Sequence, residues 1–283
     1  MLWDSVTSFF SDIGDFFSGK SFFELSGFIW HDLMGTASKM LLRNPTKGAY
    51  TNTWSDVSNV YTAFNVTAAT LLGLFFLYGF IRDSVDIHTD MTLSRTIKVF
   101  IRLVISMNVV TLAFGWIPKF ISWAQELSAG ILGTRKIGFY FDGAKVYEDV
   151  SSADWGTMVA FLTSFLFFLF TVVCGFLVIF TILNRVIRIY LLAPFCGLAL
   201  STLAGGGQIS QIGYSYIKTF FGYIFSALII AMAIVISTTF IDAMSVTGSN
   251  NAIVKLLEYC LKMAAITGAV KGADTLMQKA FGL

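Results

Sequence analysis

Charged residues are scarce in this chain of 283 residues. They make up 13% of the sequence, against about 25% in an ordinary soluble domain. Four long windows contain no charged residue at all, namely residues 60–81, 104–117, 156–183 and 219–241. Because about 20 apolar residues cross the hydrocarbon core of a bilayer, these windows exclude a soluble enzyme and predict an all-α, polytopic integral membrane protein.

The residue types that commonly carry catalysis or bind metals are also few. The sequence has two histidines, His31 and His88, and three cysteines without CxxC spacing, Cys174, Cys196 and Cys260. We expect the cysteines to be small buried side chains, and we predict no catalytic residue, no metal site and no cofactor. A net charge of only +2 argues against a basic nucleic-acid-binding domain.

Residues 14–21 match the spacing of a phosphate-binding loop, G-x-x-x-x-G-K-[ST]. A true loop of this kind follows a β-strand in an α/β domain, whereas the apolar residues of 2–17 recur every three or four positions and predict an amphipathic helix. We interpret Gly19 as a helix stop, and Ser21 with Glu24 as a capping box that begins a second amphipathic helix ending near Leu42. Residues 1–57 are therefore predicted to hold amphipathic helices rather than a nucleotide site.

The transmembrane domain is predicted to occupy residues 58–250. About five spans are expected in it, near residues 59–81, 97–117, 155–183, 186–204 and 217–241. Pro118 is expected to end the second span and to begin an outer loop over 118–155. The fourth span is short and contains Pro194, so the sequence leaves open whether it crosses the membrane or re-enters.

Basic residues indicate the orientation of the spans. Four of them flank the connection between the first two spans, Arg82, Arg95, Lys98 and Arg102. Because cytoplasmic loops are enriched in Lys and Arg, this connection is predicted to be cytoplasmic and residues 1–57 extracytoplasmic. Arg185 and Arg188, at the end of the third span, are expected on the same inner side, and five spans would leave the C-terminus in the cytoplasm.

Polar residues within the spans have two interpretations each. Arg102 and Asn108 either join helices by hydrogen bonds or line a path. Arg185, Arg188 and Lys218 either anchor the topology or guide a polyanion.

Residues 251–283 are predicted to form a C-terminal amphipathic or membrane helix and a tail. Lys255, Glu258 and Lys262 lie three and four residues apart, and therefore on one face of this helix. This face either packs in a bundle as a charged stripe or lines a wet path.

The segment from Arg185 to Ala204 reads RVIRIYLLAPFCGLALSTLA. It resembles the TrbL-type polytopic inner-membrane subunits of type IV secretion systems, the family of the sixth VirB protein. In that family a basic helix end with a tyrosine runs into a kinked Ala/Pro/Leu segment and a glycine-rich turn. Residues 54–79 and 269–276 add to the similarity with versions carried by conjugative elements.

The resemblance implies a channel or scaffold subunit for conjugative DNA transfer in the bacterial cytoplasmic (inner) membrane. It implies a homo-oligomer with about five spans that works with separate ATPases and other secretion subunits, surrounded by membrane lipids. It also implies that the outer region, here 119–154, contacts single-stranded DNA in transit. That region is short in this chain. The alternatives are a stand-alone small-solute transporter or ion channel, and a purely structural scaffold.

Overall fold

The computed structural model describes residues 19–85, 93–133, 140–151, 157–243, 252–280 and 282. Within these residues the chain is helical and contains no β-strand. The helices are α1 (Lys20–Leu42), α2 (Thr51–Val85), α3 (Leu93–Leu132), α4 (Gly143–Ser151), α5 (Thr157–Leu192), α6 (Cys196–Ser201), α7 (Gly207–Ala243) and α8 (Ala252–Ala280). The predicted all-α class is confirmed, whereas the predicted helix over 2–17 and His88 lie outside the described residues.

Four stretches in the described part of the chain are long and apolar enough to cross a membrane. They are Gly48–Ser84, Thr96–Leu132, Met158–Gly205 and Gly207–Ile241. Many of their large apolar side chains are exposed, among them Leu77, Val104 and Phe176. Exposed apolar surface on this scale is typical of lipid-facing helices, so the chain is a polytopic helical membrane protein.

The number of candidate spans differs from the prediction of about five. The predicted third and fourth spans form one continuous stretch of 48 residues, because α5 runs past Arg185 to Leu192. Arg185 therefore lies within the helix and not at its end. Its guanidinium is buried and hydrogen-bonded rather than exposed at a membrane surface. The orientation of the spans, and with it a cytoplasmic C-terminus, stays a prediction.

The predicted fourth span, 186–204, divides at Leu192. Its first residues belong to α5, and the remainder forms a broken helix that we call the kinked segment, residues 193–205. The kinked segment consists of a 3₁₀ turn at Ala193–Phe195, the short helix α6 and a second 3₁₀ turn at Thr202–Gly205. Pro194 lies in the first turn, where its fixed backbone and missing N–H favour a break in the helix.

The expected helix end at Pro118 is wrong. The helix α3 continues through this proline to Leu132. A proline removes one backbone hydrogen bond from a helix, but Ile117, Ile121 and Ala124 on either side of it are buried and their packing favours a continuous helix. The predicted outer loop over 118–155 therefore begins as helix and also contains α4.

The chain divides into two compact units. Unit 1 comprises Met1–Leu42, Ser128–Leu183 and Ile229–Asp274, and unit 2 comprises Arg43–Leu127, Asn184–Leu228 and Thr275–Leu283. Each unit is assembled from separate parts of the sequence. The consecutive division at residues 57 and 250 rests on membrane topology and stays a prediction.

In unit 1 the helix α1 packs through one apolar stripe. The buried residues of the stripe recur every three or four positions, Phe23, Ser26, Gly27, Trp30, Met34, Ala37, Ser38 and Leu41. This spacing is that of an amphipathic helix, the type that the capping box of Ser21 and Glu24 predicted. The ring of Phe22 adds edge-to-face contacts with Phe161 and Phe165 of α5.

In unit 2 the kinked segment lies along α2. Gly197 faces Ala68, and Gly205 approaches Gly79 so closely that a side chain at Gly79 would overlap the backbone of Gly205. The segment therefore follows α2 in the same chain direction. Small residues at these positions let two helices approach backbone to backbone, as membrane helix pairs commonly do.

Candidate functional site

A polar cavity in unit 2 lies where α2 ends and where α3 and α7 begin. It has a volume of about 560 Å³, which is within the range of small-molecule sites. Its lining residues are Arg82, Asp83, Lys98, Ile101, Arg102, Ile105, Ser106, Leu203, Gly206, Gly207, Ser210 and Tyr214. We call it the basic cavity, because three cations and one carboxylate line it among the described residues.

Asp83 joins the two arginines of the basic cavity. Its Oδ1 accepts a hydrogen bond from Nη2 of Arg82 at 3.1 Å, and its Oδ2 accepts one from Nη2 of Arg102 at 3.2 Å. The bond to Arg102 connects α2 with α3. Arg82 and Arg102 remain 40% and 30% exposed, so one carboxylate orients two guanidinium groups that solvent still reaches.

Two glycines let the arginines approach the start of α7. Gly206 and Gly207 have φ angles of 62° and 54°, in the left-handed region where glycine avoids the steric cost of a Cβ. A Cβ at Gly206 would overlap the guanidinium of Arg102, and one at Gly207 would overlap that of Arg82. The glycine run, which corresponds to the glycine-rich turn that the resemblance implies, therefore also makes room for two cations.

A second cavity in unit 2 adjoins the same two helices. It has a volume of about 330 Å³ and is lined almost entirely by apolar side chains; we call it the apolar cavity. Its lining residues are Asn108, Val109, Leu112, Ala113, Trp116, Ile117, Phe120, Cys196, Leu200, Tyr216, Ile217, Phe220 and Phe221. Along both α3 and α7 these residues follow those of the basic cavity.

The two predicted polar residues of α3 have different surroundings. Arg102 makes the inter-helix bond to Asp83, as one of its two interpretations expects. The amide of Asn108 donates to the carbonyl of Val104 in its own helix at 2.8 Å, and Asn108 lies at the edge of the apolar cavity. Asn108 therefore lines a cavity, and its side-chain amide forms a hydrogen bond within its own helix.

Arg185 and Arg188 lie against α7. The Nε of Arg185 donates to the carbonyl of Tyr223 at 3.1 Å, and the side chain is 3% exposed. The guanidinium of Arg188 lies 5.3 Å from the centre of the Tyr223 ring. A buried guanidinium requires such acceptors, so Arg185 contributes to helix packing.

The sequence predicts that the basic residues around Arg82 and those around Arg185 lie at the same membrane surface. The structure places the two groups at different levels along α7. Gly207, beside Arg82, begins α7, and Tyr223, beside Arg185, follows 16 residues later. At 1.5 Å per residue this separation is about 24 Å, which is most of the hydrocarbon core of about 30 Å. If the Arg82 end is cytoplasmic, Arg185 lies towards the opposite membrane surface.

The remaining predicted site residues lie on α7 and α8. Lys218 is exposed on α7. In unit 1 the Nζ of Lys262 lies 2.6 Å from Oε1 of Glu258, and both side chains are 15% exposed. Lys255 is half-buried on the same helix. The structure thus joins Glu258 with Lys262, as their spacing of four residues predicts.

The described residues contain no group of three or more His, Cys, Asp or Glu side chains arranged to hold a metal ion. His31 lies 5.7 Å from Tyr140, ring centre to ring centre, and lines an open cavity in unit 1. Burial raises the pKa of Cys260 to about 11, so its thiol stays protonated at neutral pH. Of the phosphate-loop pattern, only Gly19 to Ser21 are described: Gly19 lies in a turn, and Lys20 and Ser21 begin α1.

The sequence analysis took Arg82 only as a topology signal and missed Asp83 and the two glycines as partners of the arginines. One signal was available: an acidic residue beside Arg82 at the end of an apolar run is costly unless it is paired. The partner of Asp83 was not readable, because Arg102 follows 19 residues later in another helix. Comparison with known proteins gives no help, since no protein-family model matches the chain and no curated protein matches it significantly.

Proposed function

We propose that this protein is a channel or scaffold subunit of a bacterial type IV secretion machine that transfers DNA during conjugation. In this proposal it lies as a homo-oligomer in the cytoplasmic membrane, with residues 1–57 outside and the ends of α2 and α3 that form the basic cavity inside. Separate ATPase subunits supply the energy. The proposal rests on the resemblance of residues 185–204 to the TrbL-type subunits.

The structural observation that most supports the proposal is the hydrogen bonding that fixes residues 185–204. The hydroxyl of Tyr190 donates to the carbonyl of Pro45 at 2.6 Å, and that of Tyr216 donates to the carbonyl of Leu192 at 2.9 Å. Irregular backbone within a membrane is tolerated where protein or water covers it. A kinked segment built into a helical bundle suits a subunit that forms the wall of a channel.

Transfer assays test the proposal directly. In a conjugative host, deletion of the gene is expected to abolish DNA transfer, and expression of the full chain is expected to restore it. A photo-crosslinking residue placed in the outer region 119–154, for example at exposed Tyr140 outside the candidate spans, is expected to capture DNA only while transfer proceeds. Normal transfer after deletion would refute the proposal.

A flux assay separates the main alternative. The full-length protein reconstituted alone in liposomes is expected to be silent, because a secretion subunit acts within its machine. Solute or ion flux from these liposomes would instead indicate a stand-alone transporter or channel. Capture of secretion subunits without any crosslink to DNA would indicate a scaffold.

A polyanion-guiding role for the arginines of α5 needs its own test. Replacing Arg185 and Arg188 with Gln, and measuring DNA transfer and membrane insertion separately, distinguishes guiding from packing. Because Arg185 is bonded to α7, we expect reduced protein levels and, per molecule inserted, unchanged transfer. Reduced transfer at normal protein levels would support guiding.

A further inference from the structure

The basic cavity and the apolar cavity follow one another along α3 and α7, and we call the strip between the two helices that holds both cavities the groove. Residues 98–106 of α3 line the first cavity and residues 108–120 line the second. On α7 the first cavity is lined by residues 207–214 and the second by residues 216–221. In chain order, both helices thus line the basic cavity first and the apolar cavity second.

The charges at the polar end suit a phosphate group. Arg82, Lys98 and Arg102 face one lining carboxylate, Asp83, which leaves a surplus of two positive charges among the described residues. Guanidinium groups bind phosphate through paired N–H donors, and Asp83 already fixes the orientation of both guanidiniums. Asp86 and Asp90 of the following connection lie outside the described residues.

The apolar end has the depth of an acyl chain. Leu112 follows Arg102 by ten residues, which is about 15 Å along α3. Half of a hydrocarbon core of about 30 Å is also about 15 Å. The apolar cavity therefore lies at the depth that the chain of a lipid reaches when its headgroup is bound at Arg102.

The groove is also open towards the membrane. Its walls include Ile101, Ile105, Leu112 and Trp116, whose side chains are about half exposed, on a stretch that is itself a candidate membrane span. A polynucleotide would match the cations but not this apolar wall. A neutral lipid would match the wall but not the cations.

We propose that the groove between α3 and α7 binds an anionic phospholipid, with its phosphate at Arg82, Lys98 and Arg102 and one acyl chain in the apolar cavity. Basic pockets between transmembrane helices on the cytoplasmic side recognise lipid headgroups in this way. The proposal goes beyond the proposed function, because it holds for a secretion subunit and for a transporter alike.

Lipid retention on the purified full-length protein tests the polar end. The protein is reconstituted in nanodiscs of phosphatidylcholine with a minor fraction of phosphatidylglycerol, and the lipids that remain bound after transfer to detergent are counted by native mass spectrometry. We expect enrichment of phosphatidylglycerol, and a loss of about fivefold in its affinity for Lys98→Gln, since one basic residue near a membrane surface contributes about this factor. Lys47→Gln removes an exposed charge before α2 and outside the groove, and is expected to change nothing.

Lys98 is chosen because Arg102→Gln also breaks the bond to Asp83 and can disturb folding. Equal retention by Lys98→Gln and Lys47→Gln would overturn the proposal, as would equal enrichment of phosphatidylcholine. Displacement of the lipid by inorganic phosphate at comparable concentration would show a free-anion site. Displacement by a single-stranded oligonucleotide would show a nucleic-acid site, and each of these results rejects the lipid.

A second variant tests the apolar end. Ala113→Phe places a ring in the apolar cavity, so retention of long-chain phosphatidylglycerol is expected to fall several-fold, whereas a short-chain form that cannot reach the cavity is retained as before. Ala69→Phe adds the same bulk at an exposed position of α2 outside the cavity and serves as the control. Unchanged retention of the long-chain lipid by Ala113→Phe would overturn the placement of the acyl chain. These binding results do not depend on DNA transfer, so failure here and failure of the proposed function are distinguishable.

Discussion

The two compact units treat charge differently. In unit 1 the pair of Glu258 and Lys262 balances one positive charge with one negative charge at 2.6 Å. In unit 2 the basic cavity places three cations around the single carboxylate of Asp83. A balanced pair on one helix supports packing, whereas a surplus of oriented cations beside an apolar groove is able to bind an anion. The candidate site is therefore marked by an excess of positive over negative side chains, rather than by the presence of charged side chains.

Both units nevertheless use the same packing device. A glycine of one helix meets the backbone of another segment, Gly143 against Phe23 in unit 1 and Gly79 against Gly205 in unit 2. Each unit also has a glycine, Gly35 in unit 1 and Gly73 in unit 2, at which an added Cβ would meet no packing neighbour within 4 Å. The same Gly→Ala substitution can therefore test the contact in each unit.

The largest effect is expected from Gly79→Ala. The new methyl group overlaps the backbone of Gly205, which cannot rotate away as a side chain does, so we expect a loss of about 3 kcal/mol of unfolding free energy. Denaturation in detergent, followed by circular dichroism, measures it. Gly73→Ala is the control, and it should stabilise by up to about 1 kcal/mol because alanine favours a helix. Equal effects of the two variants would mean that the kinked segment does not pack on α2.

The corresponding change in unit 1 is expected to cost less. Gly143→Ala overlaps the backbone of Phe23, but α4 has only nine residues and shifts more easily than a long helix. We expect a loss of about 2 kcal/mol, measured in the same way, with Gly35→Ala as the stabilising control. A loss larger than that of Gly79→Ala would reverse this ranking of the two units.

The sequence predicted some elements well and others poorly, for physical reasons. The capping-box pattern of Ser21 and Glu24 predicted a helix that ends near Leu42, as α1 does, because such start signals are local in the sequence. The continuation through Pro118 was not predictable in this way, since the packing of Ile117 and Ile121 outweighs a local rule. The site itself depends on Asp83 and Arg102 meeting across two helices, which no local pattern specifies.

Removing the hydroxyl of Tyr190 tests whether its hydrogen bond fixes the chain just before the kinked segment of unit 2. Tyr190→Phe removes the bond to the carbonyl of Pro45 and keeps the ring, so we expect a loss of about 1 kcal/mol of unfolding free energy. Tyr78→Phe, at an exposed position of α2, should cost nothing measurable. If both variants matched the wild type, the hydroxyl of Tyr190 would have no role in fixing the segment.

The smallest effect is expected from the balanced pair of unit 1. A double-mutant cycle with Glu258→Gln and Lys262→Gln isolates the interaction between the two side chains. An i, i+4 pair of this kind contributes about 0.5 kcal/mol, and we expect a coupling energy of this size in detergent unfolding. In the retention assay the double variant should bind phosphatidylglycerol as the wild type does, because it removes no net charge. A lipid loss as large as that of Lys98→Gln would place the anion site in unit 1 and abolish the contrast between the units.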